Sequence, residues 1–282
     1  MALTCRTAGP EDAGKIAEIE KKVMPAGTYF EATREEMLDP QRGVFFVTEE
    51  DGVMTGISHL SYQYGGSGWF EILRVDEAYR NHGAASLMWD KAIEVCQEKG
   101  LTSIGMFTGE KNKTSRGIAE RHGLALEYEG LQMELKAEDA PDAEDPGFEP
   151  LDCPHGTAKA AAPYTEGYGL FCFNRTFTDF TEDLYADMAA KGFVYTKPGK
   201  DGEPDSIVIL GNRFTPERGP WAGLLGGDAD ACARFLVRSL KQSGAPTLFA
   251  VVPKGRTDLT DALKKYGFKE PAASLLVLRR HF

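Results

Sequence analysis

Basic residues are scarce in this chain, cysteine pairs are missing, and no apolar run is long. Its 32 Lys and Arg stand against 43 Asp and Glu, a formal charge of −11 with a pI near 5.1. That balance withholds the basic footprint on which nucleic-acid binding depends. It suits a cationic partner such as an amine. Five cysteines (Cys5, Cys96, Cys153, Cys172, Cys232) are odd in number and form no Cys-x-x-Cys pair. They read as reduced thiols. Cys153 and His155 lack the second ligand pair that a zinc site needs, so no metal is expected. No stretch approaches the roughly 20 apolar residues that span a bilayer. Met1–Arg6 also lacks the basic-then-apolar order of a secretory leader. The expectation is a cytoplasmic protein with neither membrane nor nucleic acid as partner.

What is present is ample apolar material, 42% of 282 residues, enough for two domains. Strand and helix patterns alternate along the first half, as in an α/β (α+β) protein. Strands are expected at residues 3–7, 43–48, 53–64, 69–75, 102–107 and 125–135. Helices are expected at 11–23, 34–38, 82–99 and 113–122. Asp51-Gly52 between two β-rich runs signals a hairpin. Residues 137–165 alternate acidic side chains with Ala, Pro and Gly and read as a solvated acidic linker. Three segments follow: a domain over 1–136, the linker over 137–165, and a second domain over 166–282. Gly100–Leu124 and Gly244–Phe268 each run Gly, strand, loop, helix, Gly and an apolar residue, at equal length. An internal duplication is expected.

The chemistry centres on Val75-Asp76-Glu77-Ala78-Tyr79-Arg80-Asn81-His82-Gly83-Ala84-Ala85. A strand ends, a loop turns, and a long helix begins at small residues that let a ligand approach the backbone. The first N–H groups of a helix lack intrahelical partners, and with the helix dipole they make an anion site. Arg80 adds a permanent positive charge, and the expected ligand is a pyrophosphate. Small residues at a helix start also serve close packing, and spacing alone leaves both readings open.

The order of elements resembles that of the GCN5-related N-acetyltransferase (GNAT) family. Arg80, Gly83 and Ala85 match the family's Gln/Arg-x-x-Gly-x-Gly/Ala motif. Val75, Tyr79 and Arg80 match its lead-in, with Glu77 in place of proline. Asn112 to Ser115, followed by a helix ending at Gly123-Leu124, resembles its next block. The resemblance covers residues 3–136. It implies a mixed, mostly antiparallel central sheet flanked by helices, and acetyl-CoA as co-substrate. It further implies that the backbone of Leu73, Arg74 and Val75 pairs with the pantetheine arm. The N–H groups of Asn81, His82, Gly83, Ala84 and Ala85 would hold the pyrophosphate. Asn112 would hydrogen-bond the pantetheine with Ser115 nearby, and Gly105–Phe107 would form the opposite wall of a splayed pair of strands.

Acyl transfer to nitrogen requires a neutral amine, so a base must take a proton. Glu71 is the candidate: an apolar run surrounds it, which would raise its pKa, and alternation puts it on the side of Val75. An edge carboxylate facing solvent is the competing reading. The residue that commonly protonates the departing thiolate in this family is a tyrosine at the position of Ala119. Ser115 and Tyr128 are the weaker substitutes. His59, Tyr62 and Tyr64 read mainly as packing residues of their strand.

In the second half, Leu225-Gly226-Gly227-Asp228-Ala229-Asp230 precedes the long helix, and its carboxylates would repel a phosphate. Arg256 stands where Asn112 stands in the first half, and no Arg-x-x-Gly is present. This segment reads as a degenerate copy serving substrate enclosure, regulation or homodimer contacts. The whole resembles bacterial tandem N-acetyltransferases acting on a primary amine. A CoA-binding sensor without turnover and a purely structural or interaction protein are the alternatives.

Overall fold

Strands β2 (Gly43–Glu50) and β3 (Val53–Gln63), which follow a short first strand β1 (Thr4–Thr7), are buried along most of their length. A computed structural model describes residues 3–25, 27–201, 203–214 and 219–282. It divides the chain into two units. The first comprises Met1–Thr108, Asn112–Leu126 and Leu278–Phe282; the second comprises Gly109–Lys111 and Glu127–Val277.

In the first unit, β1 to β3 pair antiparallel with β4 (Ser67–Val75), and β4 pairs parallel with β5 (Ser103–Gly109). The β2–β3 turn takes positive φ at Asp51 (55°) and Gly52 (78°), as its Asp-Gly composition predicts. Helices α1 (Ala13–Val23) and α2 (Phe30–Met37) meet through the buried Glu20, whose carboxylate accepts the N–H groups of Tyr29 and Phe30 at 3.2 and 3.0 Å. Helix α3 (Ala84–Glu98) buries Met88, Trp89, Ala92 and Cys96, and Phe70 of β4 lies 4.1 Å from the Trp89 ring. Helix α4 (Lys113–Arg121) follows β5. The last residues of the chain also belong here. Phe282 N–H donates to Thr102 O, and Arg279 Nη2 donates to Ser103 Oγ. Gly105 makes room for them, since a Cβ there would stand 2.9 Å from the Arg279 stem.

Strand β6 (Ala125–Lys136) runs from the first unit into the second. The second unit then carries β7 (Glu149–Pro150), α5 (Pro154–Tyr168), β8 (Phe171–Phe173), β9 (Thr176–Thr178) and α6 (Glu182–Ala190). Next come β10 (Val194–Pro198), β11 (Pro204–Gly211), β12 (Trp221–Gly226), α7 (Ala229–Ser243), β13 (Thr247–Pro253), α8 (Thr257–Lys265) and β14 (Leu275–His281), whose end passes to the first unit. Its main sheet runs β6-β13-β12-β11-β10-β7, and β8–β9 form a separate hairpin.

Two expectations change. Residues 137–165 keep their acidic side chains exposed, as expected, but are more than a linker. Asp139, Asp142 and Asp145 pair with Lys269, Lys241 and Arg238 at 2.6, 2.6 and 3.1 Å, and Phe148 packs on Phe235. Strand β7 joins β10, and α5 starts at Pro154, where Cys153 Sγ accepts the Gly156 N–H. The acidic texture reflects partners distant in sequence, which composition does not disclose. Second, the sequence boundaries of 1–136 and 166–282 differ from the contact division, which puts the last five residues with the first unit and residues 127–165 with the second.

The repeat seen in sequence has a structural counterpart. Helices α3 and α7 both span 15 residues, and α4 and α8 both span nine. Gly100 and Gly244 both take left-handed φ, 66° and 68°, as do Gly123 and Gly267, 83° and 89°. Asn112 and Arg256, at the heads of α4 and α8, share φ −86° and ψ 73°.

Candidate functional site

The parallel β4–β5 ladder is short. It pairs Ser67–Ser103, Gly68–Ile104 and Trp69–Gly105, and stops while β4 continues to Val75 and β5 to Gly109. The strands part beyond Trp69, leaving main-chain groups without a neighbouring strand. Asp76 N–H donates to Thr55 O on the β3 side. Alternation then turns the main chain of Leu73 and Val75 toward the opening and that of Arg74 toward β3. A bulge at Ile72, whose φ is 56°, and the shifted β3–β4 register between Ile57 and His59 bend β4 at this point. Period-two counting from Val75 to Glu71 therefore does not apply across it.

At the end of β4, Asp76 caps a single turn over Glu77–Tyr79 and is held by Lys22 Nζ at 2.6 Å. The Lys22 hydrogen bond keeps the Asp76 carboxyl below its usual range. Asn81 takes φ 68° and Gly83 φ 95°, and α3 begins with no side-chain cap. The free N–H groups of its first turn carry the positive helix end, a fit for an anion. Arg80 is 50% exposed, with a loose 3.6 Å contact to Glu77, and His82 Nδ1 lies 3.2 Å from Glu50. Ala84 is fully packed and Ala85 half-buried, so the small residues serve packing as well as ligand approach.

At the head of α4, Asn112 Oδ1 accepts the Ser115 N–H at 3.1 Å, so its carboxamide oxygen is a helix cap. Ala119 is buried without exposure. Tyr128 lies in the second unit, its ring 5.5 Å from Phe177 and its hydroxyl buried with no partner. Burial raises its pKa far above the ordinary phenol value, which counts against it as a proton donor.

Glu71 does not face solvent. Its side chain is 8% exposed, and Oε1 lies 3.0 Å from Nδ1 of His59, itself 2% exposed. Sequence reading assigned His59 to packing. The signal it lacked is the cross-strand register His59–Glu71, which only the paired sheet supplies.

Residues 15–124 match the model of the Acetyltransferase (GNAT) family. This segment is a GNAT domain. The chain as a whole is similar to the structure of a GCN5-related N-acetyltransferase from Sphaerobacter thermophilus, with 15% identity, a TM-score of 0.70, and coverage of 99% of this chain and 95% of that one. It is also similar to a tandem GNAT protein from the clavulanic acid biosynthesis pathway, at 12% identity, TM-score 0.65, and 99% and 98% coverage. At such identities the likeness is one of fold, and it extends the GNAT-like architecture over both units. No curated protein matches the chain.

The second GNAT-like unit repeats the parting strands but not the uncapped helix start. Among the described residues, strands β12 and β13 pair at Trp221–Phe249 and Ala222–Ala250. Phe249 N–H donates to Pro220 O, so by alternation Val251 O points toward the opened side. There it accepts a 2.6 Å hydrogen bond from the fully buried Tyr168 hydroxyl. The Tyr164 ring lies where a Cβ on Gly226 would be, 2.4 Å away. Asp228 occupies the α7 N-terminus, accepting the N–H groups of Asp230 and Ala231 at 3.0 and 3.1 Å. A carboxylate takes the donors that α3 leaves open.

Proposed function

We propose that the first unit binds acetyl-CoA and transfers its acetyl group to a primary amine by direct attack in a ternary complex. The observation that carries this reading is a coincidence of place. The opened side of β4 leads directly into the uncapped N-terminus of α3. The opening offers main-chain partners to an extended amide chain, and the helix end offers donors to its pyrophosphate. The Leu73 N–H and the Val75 main chain serve the former, the Leu73 carbonyl already accepting from Arg74 Nη1 at 3.0 Å. Asn81, His82, Gly83, Ala84 and Ala85, with Arg80, serve the latter, and the Asn112 amide group and Ser115 lie on α4.

Acetyl-CoA supplies the activated acyl group. Glu71 takes a proton from the acceptor ammonium, freeing the lone pair that forms the C–N bond as the C–S bond breaks. The thiolate is a good enough leaving group to take its proton from solvent. The acidic chain attracts a cationic acceptor. Ala119, which withholds the family's tyrosine, favours a second reading in which the domain binds CoA as a sensor.

Calorimetric titration with acetyl-CoA, followed by thiol release against a panel of small amines, amino acids, polyamines and peptide N-termini, tests both readings. Binding with turnover supports the transferase, and binding without turnover supports the sensor. Absence of binding removes both.

A further inference from the structure

Phe45 on β2, His59 on β3 and Glu71 on β4 are direct cross-strand neighbours and share one face of the first sheet. Phe70, the next residue along β4, packs instead on Trp89 of α3, so the row lies on the other face. Its members are tightly held. The Phe45 ring lies 5.5 Å from His59 and 5.3 Å from Phe30 of α2. Gly43 is glycine because a Cβ there would come within 2.6 Å of His59 Nε2 and 2.5 Å of Leu60 O.

His59 is a poor packing residue by its own energetics. Its Nδ1 meets Glu71, but Nε2 is buried without a partner. An unpartnered buried polar atom costs about 1–3 kcal/mol, and a leucine would fill such a space without that cost. Stability does not account for the imidazole. Its contact with Glu71 does.

We propose that His59 is a positioning residue for acyl transfer. This rests on the acetyl-transfer reading above. With its proton on Nδ1, the neutral ring donates to one oxygen of Glu71 and leaves Nε2 as a bare lone pair. That hydrogen bond restrains the carboxylate, which takes the proton of the acceptor ammonium. The proton moves from nitrogen to Glu71, the C–N bond forms, the C–S bond breaks, and His59 keeps its own proton throughout.

Steady-state thiol release by the full chain, with the best amine of the panel, tests this through H59A, H59N, E71Q and the H59A/E71Q pair. H59A is expected to lower kcat about tenfold or more, a part of the 10²–10⁴ typical of a positioned base, while KM for acetyl-CoA stays within about twofold. H59N, whose amide N–H reaches the place of Nδ1–H, should recover most of the loss. The double variant should be no slower than E71Q, because both act through one carboxylate. A wild-type kcat in H59A, or losses that multiply in the double variant, overturns the proposal. Should H59A fail to fold, H59Q replaces it, since its amide reaches the Nε2 position. A slow H59Q beside a fast H59N supports the proposal, and equal rates overturn it. No thiol release from wild type with any amine overturns the transferase reading and this role together. Release at an unchanged rate in H59A overturns this role alone.

Discussion

The Tyr168 hydroxyl donates to the Val251 carbonyl at 2.6 Å on the side where β12 and β13 have parted. The second unit thus satisfies with its own tyrosine a main-chain group of the kind that the first unit leaves to a ligand. One acetyl-CoA per chain is therefore expected, and a calorimetric stoichiometry near two would refute it. Tyr168→Phe should leave that stoichiometry unchanged. It should cost about 1–3 kcal/mol in denaturant unfolding, because a buried carbonyl loses its donor.

Gly83 stands at φ 95°, and a Cβ there would make only an ordinary 3.9 Å contact with the Leu3 side chain. Gly83→Val should therefore strain the backbone by about 1–2 kcal/mol rather than clash. The larger effect belongs to ligand binding, because the branched side chain stands at the head of α3. Acetyl-CoA affinity should fall at least about tenfold in G83V, about 1.4 kcal/mol. Arg80→Ala should weaken binding more at low salt than at high salt, as expected for an exposed charge on a phosphate. An R80A effect independent of salt would count against a phosphate contact.

Glu71→Gln preserves shape and removes the base. Turnover should drop about 10²–10⁴-fold while acetyl-CoA binding stays intact. Equal rates for E71Q and wild type across pH would remove Glu71 from the mechanism.

The Arg6–Asp12 pair joins β1 to the turn before α1, at 2.8 Å. The Arg6 hydrogen bond holds the Asp12 carboxyl below its ordinary value. A carboxyl depressed in the folded state adds stability that is fully present above its unfolded pKa of about 3.9 and is lost as pH falls through the folded value. Asp12→Asn should accordingly be less stable than wild type at neutral pH, and the two should converge as pH falls below the folded value of the Asp12 carboxyl. Thermal melts across that range give the comparison, and a constant gap at all pH values would show that the pair is not its source.

Local chemistry made much of the first unit legible. Asp51-Gly52 announced a hairpin, Gly100 the end of α3, and the equal spacing of Gly100–Leu124 and Gly244–Phe268 a repeat now seen in matched helix lengths and cap angles. The small residues around Gly83 marked the helix start whose N–H groups stay open. These signals are short-range, and a few neighbouring residues decide them.

Tertiary structure decided the rest. Whether β4 kept its alternation depended on the bulge at Ile72, and the partner of Glu71 depended on the register of β3. The acidic segment after β6 meets Lys241, Arg238 and Lys269 in exposed ion pairs with residues 99, 93 and 130 positions away along the chain. The sequence by itself determined where helices begin, where turns fall and that the helix start at Gly83, unlike that at Asp228, carries no capping carboxylate. Only the assembled sheets decided which side chains meet, because register and ion pairing join residues whose separation along the chain carries no local signal.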